Sequence, residues 1–150
     1  MRVIIQRVSE ASVTINDLVK SSIAQGFLVL LGITHEDTQE DIEWLTNKII
    51  GLRIFSDANG AMNLSIKDID GDLLVISQFT LHASTKKGNR PSFLEAALPE
   101  VAIPLYENFV STLSRKRTKE VYTGEFGADM KVRLLNDGPV TITIDSKNRE

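Results

Sequence analysis

The run Phe27-Leu28-Val29-Leu30-Leu31-Gly32-Ile33 is apolar throughout and follows Gly26. A strand with one face in water alternates apolar and polar residues, whereas a strand covered on both faces is apolar at nearly every position. We therefore predict that this run is a buried, central strand. Leu73 to Phe79 is predicted as a second strong strand, and the turn signal Asp70-Gly71 precedes it.

Weaker strand signals lie on both sides of this run. Alternating apolar residues indicate a strand that opens at Val3 and continues to Ile15, and Asn16-Asp17 is then typical of a turn. The remaining predicted strands are Val19–Ile23, Arg53–Phe55, Met62–Ile66, Glu120–Thr123, Lys131–Asn136 and Val140–Ile144.

Apolar residues occur at helical spacing in two segments. The first is Thr38 to Leu52, with Thr38 as the N-cap and acidic residues in the first turn, where the helix dipole favours them. The second runs from about Glu100 to Ser114, and Pro104 inside it is expected to kink the helix or delay its start. The predicted apolar face of this second helix is Val101, Leu105, Phe109 and Leu113. We expect an α/β fold, with mixed β-sheets covered on one face by two helices.

The composition is that of an ordinary globular protein. The chain has 150 residues, 42% apolar and 25% charged, so we expect a single domain over residues 1–150. It has no cysteine and two histidines, His35 and His82, which leaves few metal ligands, and we expect neither a metal nor another cofactor. No run approaches the roughly 18 apolar residues of a membrane span, and the N-terminus does not resemble a signal peptide. We therefore expect a cytoplasmic protein with no membrane partner.

The net charge of −3 argues against a protein that coats nucleic acid, because non-specific affinity comes from Lys and Arg that neutralise phosphates. Any RNA contact must therefore be local. Two basic clusters are available, Lys86-Lys87-Gly88-Asn89-Arg90 and Arg115-Lys116-Arg117-Thr118-Lys119. Such a cluster is more often a solvated surface than a binding site, so charge alone leaves both interpretations open.

The common hydrolase motifs are absent, since the sequence has no Gly-x-Ser-x-Gly, no P-loop and no His-Glu-x-x-His. Thr80 and His82 are two residues apart, but the polar segment that follows favours an exposed histidine over a Thr–His pair. Two segments place polar residues at strand ends, Ser77-Gln78-Phe79-Thr80-Leu81 and Asn136-Asp137-Gly138-Pro139-Val140-Thr141. Each also has a structural interpretation, the first as a strand end and the second as a turn between paired strands.

These two segments resemble the signature motifs of the D-aminoacyl-tRNA deacylase family. Other stretches are similar to the family as well, so that the resemblance covers nearly the whole chain: MRVIIQRVSEASVTI, LVLLGI, LRIFSDANGAMNLS, KKGNRPSF and TGEFGADMKVRLLNDGPVT. Residues 16–22 lack the glycine-containing turn associated with the family, and Pro104 is unusual in its second helix. Both departures lie outside the motifs.

The resemblance implies a homodimer with its active site at the subunit interface. Its substrate is the ester between a D-amino acid, or glycine, and the terminal adenosine of tRNA, and its role is translation quality control. By similarity, Ser77 and Gln78 line the adenosine pocket, while Phe79 and Thr80 flank the reacting ester. We expect main-chain N–H groups around Phe79 and Thr80 to stabilise the oxyanion. We expect no covalent Thr80 ester, because no base is placed to activate that hydroxyl.

The resemblance also implies how the substrate is selected. Gly138-Pro139 is expected to form a cis peptide that enters the partner subunit's active site and rejects L-amino acids, with Arg7 supporting the loop. Phe126 and Met130 are expected to form an apolar wall, although such residues are equally often part of a core. The candidates for tRNA phosphate contacts, which position RNA without reading its sequence, are Lys86, Lys87 and Arg90.

Three other functions are compatible with parts of the sequence. One is a dimer of the same fold that binds nucleic acid and catalyses nothing, against which both intact motifs argue. Another is an editing domain cut from a threonyl-tRNA synthetase, although no synthetase sequence follows. The third is a relative with relaxed chirality that also acts on some L-aminoacyl-tRNAs. Deacylation of D-Tyr-, L-Tyr- and Gly-tRNA separates these possibilities.

Overall fold

The computed structural model describes residues 1–149. Its strands are β1 (Arg2–Ile15), β2 (Leu18–Ile23), β3 (Gly26–Gly32), β4 (Phe55–Ser56), β5 (Met62–Leu64), β6 (Asp72–Ser77), β7 (Tyr122–Thr123) and β8 (Lys131–Asp145). Its helices are α1 (Gln39–Gly51) and α2 (Pro99–Arg117), and a 3-10 turn covers Phe79–His82. This is the mixed α/β architecture that the sequence predicts.

Six strands form one sheet in the order β2-β1-β3-β6-β7, with β8 paired to β1. β1 is antiparallel to β2, β3 and β8, whereas β3 is parallel to β6 and β6 is parallel to β7. The long strand β1 pairs with β3 along its first half and with β2 along its second half. The sheet curls until β2 lies against β7, where the Ser21 hydroxyl donates to the Thr123 carbonyl at 2.6 Å. It is therefore nearly closed.

Strand β3 is buried on both faces, which explains its uninterrupted apolar sequence. Phe27, Val29 and Leu31 pack into the core that both helices share with the sheet. Leu28 belongs to a second cluster inside the curled sheet, together with Leu74 of β6. The prediction of a central, doubly covered strand is confirmed.

Helix α1 begins as predicted, with Thr38 as its N-cap and Asp41 completing a capping box. Helix α2 begins at Pro99, and Pro104 neither delays nor ends it. Of the four residues predicted for the core face of α2, Phe109 and Leu113 are buried, whereas Val101 and Leu105 are only half-buried. The residues on its core side are Ala102, Tyr106, Phe109 and Leu113. The Tyr106 hydroxyl donates to the Val75 carbonyl at 2.7 Å and fixes the rotation of this helix.

Two local predictions need correction. The strand expected to end at Phe79 ends at Ser77, because the chain turns there into the 3-10 turn. The strand expected over Arg53–Phe55 is displaced to Phe55–Ser56, where it pairs with β5. The β1–β2 turn needs no glycine, because Asn16 and Asp17 adopt φ values of 50° and 62°, which these two residue types tolerate.

The segment around Gly138-Pro139 is not a turn between two paired strands. Asn136 pairs with Val8 and Thr141 pairs with Gln6, so both flanks of the segment lie on the same neighbour, β1. The two predicted strands are one long strand, β8, with an irregularity in its register at this point. The Gly-Pro segment therefore projects from a strand rather than reversing the chain.

Asp41 links the start of α1 to the segment that follows β8. Its side chain is buried and accepts hydrogen bonds from the Ser146 hydroxyl at 2.6 Å, the Lys147 ammonium at 2.8 Å and the Thr38 main-chain N–H at 2.8 Å. Burial alone would raise the pKa of Asp41, but these hydrogen bonds and the Lys147 charge outweigh it and hold the pKa well below its usual range.

Because the pKa of Asp41 is lower in the folded state, its ionised form stabilises the fold above the unfolded pKa of about 4, and this stabilisation is lost as the pH falls further. We expect Asp41→Asn to lower the free energy of unfolding by about 2 kcal/mol at neutral pH. We also expect it to flatten the fall in stability between about pH 5 and about pH 2. Urea unfolding across this pH range measures both effects.

The matched control is Glu40→Gln, because the Glu40 side chain is 82% exposed and its ion pair with Arg149 lies at the surface. This control is expected to change stability by less than about 0.5 kcal/mol. An Asp41→Asn protein with the wild-type pH profile would contradict the prediction.

Candidate active site

The end of β6 leaves two main-chain donors unused. The N–H of Gln78 donates to the Leu31 carbonyl at 2.8 Å, and the 3-10 turn begins one residue later. The first N–H groups of a helical turn have no acceptor within it. Within residues 1–149, the N–H groups of Phe79 and Thr80 donate to no other residue. Two adjacent donors are therefore available to a ligand.

A cavity of about 260 Å³ opens beside this turn. Ser77, Gln78 and Phe79 line one side of it, and Phe126 and Met130 line another from the segment between β7 and β8. The structure thus brings these five predicted residues into one cavity. Its remaining wall is mainly apolar and consists of Leu31, Ile33, Ile76, Ala97, Ala102, Gly127, Ala128, Asp129 and Val132.

Several of these lining residues gave no signal in the sequence, because small and aliphatic residues are equally common in any core. Gly124 also shapes the cavity from outside its wall. A Cβ atom at Gly124 would lie 2.4 Å from the Met130 sulfur and 3.1 Å from the Ile76 side chain. A glycine is therefore needed for Met130 to reach its position. Phe126 is held by an edge-to-face contact with Tyr106, with ring centroids 6.1 Å apart.

A wider groove of about 1040 Å³ runs along α2 and β7 and shares Phe126 with the cavity. Its other lining residues include none of those predicted for the site, and it does not reach the 3-10 turn. The smaller cavity is therefore the better candidate for chemistry.

The Thr80 hydroxyl lies outside the cavity and is exposed. It accepts a hydrogen bond from the Gln78 amide at 2.6 Å, and a carboxamide cannot take a proton as a general base. No hydrogen bond joins Thr80 to His82, so the alternative Thr–His pair is not formed. The arrangement gives the hydroxyl no neighbour that would activate it.

His82 is buried, so the expectation of an exposed loop histidine is wrong. The 3-10 turn directs its ring against Gly32, where a Cβ atom would approach the ring to 3.0 Å. Its Nε2 atom has no hydrogen-bond partner among the described residues, and burial lowers the pKa of the imidazole below its usual value. His82 therefore packs the turn onto β3.

The Gly138–Pro139 peptide bond is cis, as expected. Arg7 is buried beneath this segment and donates from Nε to the Asp137 carbonyl at 2.8 Å and from Nη1 to the Ile54 carbonyl at 2.6 Å. Gly138 and Pro139 are both exposed and do not line the cavity of their own chain. One chain alone therefore brings them to Arg7 but not to the cavity.

The cluster at residues 115–119 is committed to internal ion pairs. Lys116 lies 2.6 Å from Glu43, and Lys119 lies 2.9 Å from Asp72. Arg117 is buried and donates to a main-chain carbonyl at 2.8 Å. These side chains already have partners, so this cluster is mainly structural.

The cluster at residues 86–90 has the opposite character. Lys86, Lys87 and Arg90 are exposed, and none of them makes a hydrogen bond or ion pair with any residue in the described part of the chain. An anionic ligand would meet three uncompensated positive charges there. The two clusters thus differ in whether their charges already have partners within residues 1–149.

The cavity offers main-chain and amide groups rather than titratable ones, since Asp129 is the only ionisable residue in its wall. Such a site can orient a carbonyl group and stabilise negative charge that develops on its oxygen. Among residues 1–149, no three His, Asp or Glu side chains are grouped as they would be around a metal ion. No helix in this part of the chain is long and apolar enough to cross a membrane.

Known proteins resemble this chain along its whole length. Proteins named D-aminoacyl-tRNA deacylase from Flavobacterium johnsoniae and Bacteroides fragilis are each 65% identical over 150 residues, which is all of both chains. A solved structure described as a c-Myc DNA unwinding element binding protein matches with a TM-score of 0.92 at 41% identity, over 97% of this chain and 98% of its own.

A structure described as a probable eukaryotic D-amino acid tRNA deacylase has the same fold, with a TM-score of 0.83 at 18% identity over 95% of this chain and 97% of its own. The family model described as D-Tyr-tRNA(Tyr) deacylase matches residues 4–145. Because that match spans nearly the whole sequence and full-length relatives are 65% identical, the chain belongs to the D-Tyr-tRNA(Tyr) deacylase family.

Proposed function

We propose that this protein is a D-aminoacyl-tRNA deacylase, a hydrolase that cleaves the ester between a D-amino acid and the 3′ end of tRNA. The observation that carries the proposal is the cavity of Ser77, Gln78 and Phe79 beside two unused main-chain donors. Such donors stabilise the oxyanion that forms when water attacks an ester carbonyl. The names of the 65% identical relatives support the same activity.

The reaction needs little more than binding and orientation, because an aminoacyl ester is already reactive. Water attacks the carbonyl carbon, the bond to the ribose oxygen breaks, and that oxygen leaves with a proton as the ribose hydroxyl. Ser77 and Gln78 would hold the terminal adenosine, while the N–H groups of Phe79 and Thr80 receive the developing charge. Phe126 and Met130 would limit the water around the ester.

We propose that Gly138 and Pro139 act in the cavity of a second copy of the chain, in a homodimer. Their absence from the cavity of their own chain supports this, as does their exposure. Arg7 holds the preceding residue through its main-chain carbonyl, so the segment is positioned from beneath. Rigid main chain at that place would clash with an L side chain but would admit a D side chain or glycine. Gly-tRNA would then be a second substrate, and the enzyme would serve translation quality control.

The loop 86–90 is proposed to take tRNA phosphates. Three exposed and unpaired cations there suit a polyanion, whereas the cations at 115–119 already have partners. Phosphate contacts position the RNA without reading its sequence, so the enzyme would accept many tRNAs.

The first prediction tests the function itself. The purified protein is expected to deacylate D-Tyr-tRNA and Gly-tRNA, and to act on L-Tyr-tRNA roughly 100-fold more slowly or worse, because only the L side chain meets the Gly-Pro backbone. Release of labelled amino acid from the three matched substrates measures this. If tRNA binds but none of the esters is cleaved, the protein is a binding module. Equal cleavage of L-Tyr-tRNA would refute the chiral role.

The second prediction concerns the Thr80 hydroxyl. We expect Thr80→Ala to keep kcat within about tenfold of the wild-type value, because the main-chain donors remain and the hydroxyl has no base beside it. Thr80→Ser is the matched control that keeps the hydroxyl. Near-complete loss in Thr80→Ala alone, or an acyl-enzyme detected by mass spectrometry, would establish nucleophilic catalysis instead.

The third prediction concerns the basic loop. Replacing Lys86, Lys87 and Arg90 by Ala should weaken tRNA binding. Log affinity falls as log salt rises, and the steepness of this fall should decrease by about 2, because each lost phosphate contact removes a released counterion. Filter binding at several salt concentrations measures the slope. The control removes charge at Lys20 and Lys67, which are exposed and distant in sequence, and should leave the slope unchanged. An unchanged slope in the triple variant would place the RNA elsewhere.

A further inference from the structure

Two aromatic side chains are exposed beside the cavity. Phe79 is 55% exposed and Phe93 is 39% exposed, and their rings meet edge to face with centroids 5.1 Å apart. Neither ring belongs to one of the two core clusters. Exposed apolar surface of this kind marks interaction sites more often than it serves the fold.

The chain connects this aromatic pair directly to the basic loop. Ser84 and Ser92 exchange two main-chain hydrogen bonds, of 2.8 Å and 2.9 Å, that close the loop carrying the three unpaired cations. Phe93 is the next residue after this closure, and its partner Phe79 lines the cavity. The chain therefore connects the cavity, through the two rings, to the cationic loop.

We propose that Phe79 and Phe93 form a stacking platform for the unpaired bases that precede the terminal adenosine of tRNA, with the phosphates of those nucleotides on loop 86–90. This inference rests on the proposed function and names the part of the substrate that the surface outside the cavity binds. Proteins bind single-stranded nucleic acid by combining aromatic faces, on which bases stack, with a cationic track along the backbone. Base-paired RNA cannot present its base faces in this way.

The charge of the surface favours this occupant over a protein. An apolar partner surface would match the rings, and Leu94 at 88% exposure would extend the contact, but it would leave three cations desolvated and without partners. A nucleotide chain satisfies both features, since each unit has a flat base and an anionic phosphate.

The decisive variant is Phe93→Leu, which keeps an apolar side chain against Phe79 but removes the ring face. Wild type and variant are compared on D-Tyr-tRNA and on D-tyrosyladenosine, which lacks the preceding nucleotides. We expect kcat/KM on D-Tyr-tRNA to fall about tenfold, through KM, and the value for D-tyrosyladenosine to stay within about twofold. Phe93→Trp, which keeps an aromatic ring, should keep the activity on D-Tyr-tRNA. Leu94→Ala is the exposed aliphatic control and should leave kcat/KM unchanged for both substrates.

Salt dependence separates stacking from charge. Phe93→Leu should weaken tRNA binding with an unchanged salt slope, because stacking releases no counterions, in contrast to the triple loop variant. Equal losses on both substrates would show that the ring supports the cavity, and no loss on either would refute the platform. A loss of tRNA activity that tracks dissociation of a dimer would show that a second subunit covers the rings, which also refutes it.

The platform can be tested even if the protein cleaves none of these esters. Binding of uncharged tRNA is then compared with binding of the same tRNA trimmed of its unpaired 3′ nucleotides. Phe93→Leu should weaken the first about tenfold and leave the second unchanged. Equal effects on both RNAs would overturn the inference, while failure of hydrolysis with this pattern intact would overturn only the proposed activity.

Discussion

The parallel pairing of β3 with β6, buried on both faces, determines where the candidate site lies. At Gly26 the two strands approach so closely that a Cβ atom would lie 1.9 Å from the Asp72 carbonyl oxygen. From there the register runs without a shift to the pairing of Leu31 with Ser77, the last residue of β6. A change in this register would move the end of β6 and the donors that follow it.

The two basic clusters differ in whether their charges have partners within the chain. The two basic clusters have similar composition, but the one at 115–119 forms the end of α2 and pairs with Glu43, Asp70 and Asp72. The one at 86–90 lies on a loop, and its cations have no ion-pair partner among residues 1–149. In a protein with a net charge of −3, three cations without an ion-pair partner in the described part of the chain lie together on this loop, whereas exposed cations such as Lys20 and Lys67 lie elsewhere in the sequence. The local potential of this loop would favour an anionic ligand even though the whole protein is acidic.

Local patterns predicted the parts of the fold that depend on a single periodicity. The doubly covered strand β3 and the capped helix α1 are examples, because burial and capping leave marks in adjacent residues. The buried face of α2 was not predictable in this way. Val101 and Leu105 have the same spacing as Ala102 and Tyr106, and only the contact of Tyr106 with β6 selects between them.

In the candidate site, too, local sequence patterns predicted some features, and long-range contacts determined the others. Its two motifs were visible because the sequence places polar residues where strands are predicted to end, and the family resemblance then gave them roles. The inward direction of His82 depends on the 3-10 turn, which interrupts the alternation of a strand, so sequence spacing misassigned it. The continuity of β8 through Gly138-Pro139 depends on pairing with β1, a long-range contact that a Gly-Pro dipeptide does not reveal.

A candidate site built from main-chain groups depends on glycines that leave room for neighbouring side chains and for the turn of the chain. Gly32 admits the His82 ring that packs the donor turn onto β3, and Gly124 admits Met130 to the cavity wall. Gly138, at a φ of 140°, adopts a conformation that side chains disfavour, and a Cβ atom there would lie 2.7 Å from Val140. The geometry of the candidate site thus depends on these glycines more than on titratable side chains. That explains why a search for catalytic acids, bases and metal ligands passes over such a site.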